Sequence, residues 1–94
     1  MRTQETFKAL SDPTRRRILK ALKSGSMSAG ELAGLFPITK GSLSHHFNVL
    51  KTAGLIRSRR KGQQIIYALN TSVFEDVART MLDLFKIEKR ENNL

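Results

Sequence analysis

Ninety-four residues suffice for one small domain, which buries a modest share of its unfolded surface and is stabilised by any partner that covers more of it. Seventeen Lys and Arg against eight Asp and Glu leave a formal charge of +9, which suits either a polyanionic partner or simply a soluble basic surface. The absence of cysteine excludes a disulfide framework, a thiolate metal site and a thiol redox switch.

The polar beginning MRTQETFK lacks the apolar core of a secretion signal, and no apolar run approaches the roughly 20 residues that span a bilayer. A cytoplasmic protein without membrane insertion is expected. Residues 3–10 then form a short helix candidate carrying Phe7 and Leu10. The stretch SDPTRRRILKALKSG restarts with Asp12 as N-cap and Pro13 at the first helical position, and Gly25 stops it. In this second helix Ile18, Leu19 and Leu22 face a core, while Arg15, Arg16, Lys20 and Lys23 remain available to solvent or phosphate.

SAGELAGLF opens with a Ser28 to Glu31 capping box, presents Leu32, Leu35 and Phe36 on one stripe, and ends before Pro37. Thr39 caps a fourth helix from Lys40 to about Ala53, closed by Gly54 where a left-handed residue is wanted. From Leu55 the period changes to two, with Ile65, Tyr67 and Leu69 alternating around a Lys61-Gly62 turn, so a two-stranded hairpin with a cationic tip is expected. Asn70 or Ser72 caps a last helix, SVFEDVARTMLDLFKI, where Ser72 and Glu75 repeat the capping-box spacing. Neither repeat nor linker interrupts the order, and residues 1–94 read as a single, mainly α domain with a small β-hairpin: four helices, a hairpin, a helix.

Two helices joined by a tight turn and followed at once by a basic hairpin have the outline of a winged helix-turn-helix, whose second helix enters the major groove of double-stranded DNA. In the fourth helix Leu43, Phe47 and Leu50 fall on one face, widened by Val49. The other side offers Lys40, Gly41, Ser42, Ser44, His45, Asn48 and Lys51 as a DNA-binding face of small and hydrogen-bonding groups. Gly41 costs up to about 1 kcal/mol in helix propensity relative to alanine, which close approach of DNA or simple fraying of the helix end would explain. Arg57, Arg59, Arg60, Lys61 and Gln63 supply the wing, a density that suits phosphate contact or arginine insertion into a narrow minor groove, and also an ordinary solvated face.

His45 and His46 are adjacent, hence about 100° apart on a helix, and no cysteine or third histidine completes a zinc site, so no metal and no cofactor are expected. His46, three after Leu43, is a half-buried packing residue with one satisfied nitrogen. His45 lies on the polar side, facing nucleic acid or solvent.

The last helix carries Val73, Phe74, Val77, Ala78, Met81, Leu82, Leu84, Phe85 and Ile87, more than one core-facing stripe requires. The surplus either lies covered within one subunit or packs against a second copy. In the second case Phe7, Leu10, Phe74, Val77, Met81, Leu84 and Phe85 form the seam of a homodimer. The acidic residues Glu5, Asp12, Glu31, Glu75, Asp76, Asp83, Glu88 and Glu91 are scattered rather than paired, which argues against acid-base catalysis and an enzyme.

The blocks FKALSDPTRRRILKAL, ITKGSLSHHFNVLKTAGLI and RSRRKGQQIIYALN, in this order, closely resemble the ArsR (ArsR/SmtB) family of bacterial repressors and, within it, the SdpR-like metal-independent subgroup. The resemblance implies a homodimeric winged helix that holds a palindromic operator until an unidentified inducer or a protein anti-repressor releases it, with a seam made by the first and last helices. By the same resemblance Lys40, Gly41, Ser44 and His45 read bases and contact phosphates, and Arg59 to Gln63 grip flanking DNA. The family's metal sensors carry a cysteine pair where this chain has ELAGLF, or histidine and carboxylate ligands in the last helix, where this chain has no histidine. A sequence-specific repressor is therefore the leading expectation; a winged helix used as a protein-interaction or RNA-binding module is the alternative.

Overall fold

A computed structural model describes residues 2–86. Helix α1 spans Thr3–Leu10 and α2 spans Pro13–Ala21, continued by a 3₁₀ turn over Leu22–Ser24. Asp12 starts α2 as expected: its carboxylate accepts the Arg15 backbone N–H at 3.0 Å. That bond, reinforced by the charge of Arg15 and opposed by desolvation, holds the Asp12 carboxyl below the usual carboxylate range. Gly25, at φ 144°, turns the chain where few other residues could.

Strand β1 is only Met27–Ser28, followed by α3 at Ala29–Ala33, α4 at Lys40–Thr52, β2 at Ile56–Lys61, β3 at Gln64–Leu69 and α5 at Thr71–Phe85. The Ser28–Glu31 capping box forms in full, with the two reciprocal bonds at 3.0 and 2.8 Å. Gly54, at φ 79°, ends α4 in the left-handed region. The core gathers Ile18, Leu19 and Leu22, Leu32 of α3, Leu43, Phe47 and Leu50 of α4, and Leu55, Ile56 and Tyr67. Tyr67 is buried deeply enough that desolvation pushes its phenol above the ordinary range.

The structure corrects several sequence expectations. The hairpin is part of a three-stranded antiparallel sheet ordered β1-β3-β2, because Met27 pairs with Tyr67 and Ser28 with Ile66. Lys61 pairs with Gln64, so the turn residues are Gly62 and Gln63 rather than Lys61 and Gly62, and Gly62 takes the positive φ of 63°. Helix α3 ends at Ala33, which takes Leu35 out of the helical stripe and leaves it 57% exposed. The Ser72–Glu75 capping box does not form: the Ser72 hydroxyl donates to Asn70 Oδ1 at 3.0 Å, while the Asn70 amide donates to the Gly54 carbonyl at 2.9 Å. Ile87, Glu88 and Glu91 lie outside the described residues.

The radius of gyration is 16.2 Å, against about 12 Å for a compact domain of this size. Helix α5 has no buried residue along its length and leaves Leu82, Leu84 and Phe85 about 70% exposed.

Candidate nucleic-acid interface

Helix α4 is seated by its apolar side. Leu43, Phe47 and Leu50 are buried, and the Phe47 ring stacks on Tyr67 of β3 with centroids 4.4 Å apart, fixing the helix against the base of the hairpin. Thr39 caps it, its hydroxyl accepting the Ser42 N–H at 3.1 Å. The short α3 lies beside α4 through Ala29, Gly30 and Ala33, small residues that line a groove with Lys40, Ser44 and Phe47.

With that side fixed, Lys40, Gly41, Ser42, Ser44, His45, Asn48 and Lys51 all emerge as exposed. A Cβ built on Gly41 would meet nothing within 4 Å, so its lack of a side chain answers no need inside the protein. On the wing, Arg57, Arg59, Arg60, Lys61 and Gln63 are likewise exposed. The strand register divides them. Ser58 opposes Tyr67, so Ile56, Ser58 and Arg60 share the core-side face and Arg57, Arg59 and Lys61 the outer one.

The two histidines part as their helical angle requires, with ring centroids 5.7 Å apart and planes tilted by 55°. His45 is exposed. The His46 side chain is 14% exposed, and its Nδ1 lies 3.3 Å from Arg15 Nη1 and 3.9 Å from Asp12 Oδ2. Arg15 is thus not available to phosphate as its sequence position suggested. Its Nε donates to the Ala9 carbonyl at 2.8 Å and its Nη2 to the Lys8 carbonyl at 3.3 Å, and Arg16 Nη1 donates to the Leu10 carbonyl at 2.8 Å. These are the last carbonyls of α1, which the helix itself cannot satisfy. The available signal was the tight turn at Ser11, which returns α2 to the end of α1 within six residues.

A family profile described as a helix-turn-helix domain matches residues 10–59. The chain is 53% identical over 88 residues to the transcriptional repressor SdpR of Bacillus subtilis (strain 168), covering 94% of this chain and 96% of that one. The chain belongs to the ArsR family of winged-helix transcriptional repressors. Solved ArsR structures share its fold: one family regulator superposes with a TM-score of 0.86 at 30% identity, covering 95% of this chain and 93% of its own. An ArsR-like regulator from Rhodococcus sp. RHA1 gives 0.80 at 33% identity, covering 86% and 74%. Like other ArsR proteins, the chain is a DNA-binding transcriptional regulator and not an enzyme. None of its described helices is long and apolar enough to cross a membrane.

Proposed function

We propose that this ArsR protein represses transcription in the cytoplasm as a homodimer on a palindromic operator. Each α4 enters a major groove, and each wing holds the backbone beside it. The observation that carries this reading is the division of α4: one side buried through Leu43, Phe47 and Leu50, the other exposing Lys40, Gly41, Ser44, His45 and Asn48. Lys40 and Lys51 suit phosphates, Ser44, His45 and Asn48 suit base edges or sugar-phosphate oxygens, and Gly41 suits close approach. Arg57, Arg59, Arg60, Lys61 and Gln63 add the sequence-independent grip of the wing.

The uncovered apolar side of α5 supports the dimer. Exposing Leu82, Leu84 and Phe85 to water on a helix that also carries Phe74, Val77 and Met81 is unfavourable for a monomer, and α1 places Phe7 and Leu10 at partly buried positions able to extend the seam. A two-fold pair then presents two recognition helices to half-sites about one DNA turn apart. Selection of bound duplexes from a random pool, followed by a footprint at the native locus, tests the reading: an inverted repeat with such spacing is expected, and an unenriched pool would contradict it.

A further inference from the structure

The geometry points to Arg15 and His46 as positioning residues that set the recognition helix against the first helix and so sustain its preference for operator over other DNA. The inference rests on the DNA-binding reading of α4, since it concerns how that helix is aimed.

One guanidinium joins three elements. Arg15 belongs to α2, donates to the Ala9 and Lys8 carbonyls at the end of α1, and places Nη1 3.3 Å from His46 Nδ1 on α4. An arginine only donates, so in this contact His46 Nδ1 is the acceptor. His46 sits between Ser44, His45 and Asn48, which face outward, and Phe47, which anchors the helix. A change in how His46 is held therefore rotates or shifts the reading face itself. Thr6 adds a second tie between the same helices, its buried hydroxyl donating to the Ala53 carbonyl at 3.3 Å.

Asp12 completes the junction on the α2 side: its Oδ2 lies 3.9 Å from His46 Nδ1 and caps α2 through the Arg15 N–H. The charged groups around this junction are Arg15 and Asp12 on α2, His45 beside it on α4, and Glu5 and Lys8 of α1, which line the groove shared with Arg15 and His45.

The test uses the full-length protein, the operator recovered by selection and a random duplex of equal length, at temperatures well below the melting transition of each variant. His46→Phe keeps a ring but removes the acceptor. It is expected to lower operator affinity about five- to ten-fold while leaving random-duplex affinity and its salt dependence unchanged. His46→Gln, whose amide oxygen can accept from Arg15, is expected to restore discrimination. Arg15→Lys, which cannot reach all three acceptors, is expected to behave like the His46→Phe variant.

A residue with a merely structural role would lower the melting temperature and reduce binding to both duplexes alike, leaving their ratio unmoved. Unaltered discrimination in the His46→Phe variant, or a His46→Gln variant that fails to restore it, would overturn the inference. A wild type that prefers no duplex would instead overturn the DNA reading beneath it.

Discussion

Phe47 on the inner side of α4 and Tyr67 on β3 stack with their ring centroids 4.4 Å apart, so the helix proposed to read bases and the hairpin proposed to grip the backbone share one aromatic contact. Phe47→Ala is expected to cost about 3–5 kcal/mol, from the missing transfer energy and the cavity left behind. In a small domain that is a large share of total stability, and a urea melt should show it as a lowered midpoint.

Gly41 separates a folding need from a binding need. With open space where a Cβ would sit, Gly41→Ala should raise stability by up to about 1 kcal/mol. If α4 presses against DNA, the same methyl group should weaken operator binding. Thermal melting and titration of a labelled duplex check the two effects, and a stabilised variant with unchanged affinity would place Gly41 outside the contact.

The wing should contribute strength without selectivity. Arg59→Ala and Arg60→Ala are each expected to weaken operator and random duplex alike, and to reduce the slope of log affinity against log salt by about one for each phosphate that is no longer neutralised. Titrations between about 50 and about 200 mM salt check this. Because the two arginines lie on opposite faces of β2, a difference between them would reveal which face meets the duplex.

Much of this was legible in the sequence where a local rule decides the outcome. Asp12-Pro13, Ser28–Glu31 and Thr39 start helices because each cap needs only its own next three residues, and Gly54 stands at a position whose φ few other residues accept. The polar side of α4 follows from helical periodicity alone. What escaped is non-local. Two residues, Met27 and Ser28, become a strand only because β3 lies alongside. The Ser72 cap does not form because the Asn70 amide finds the Gly54 carbonyl, sixteen positions away. Arg15 reads as a surface cation until the fold brings the end of α1 and His46 within reach of its guanidinium.

The seam proposed for α5 is open to direct attack. Leu84→Glu with Phe85→Glu should convert a dimer to a monomer in sedimentation velocity and weaken operator binding steeply, because each half-site then binds alone. A wild type that sediments as a monomer at micromolar concentration would contradict the seam.

The most direct measurement is the ratio of operator to random-duplex affinity in the paired variant Lys40→Ala, Ser44→Ala, both substitutions lying on the exposed side of α4. Loss of preference with the fold and residual salt-dependent binding intact is the expected result. Full retention of operator preference would contradict the assignment of this face to DNA reading, and would favour a winged helix used on protein or RNA.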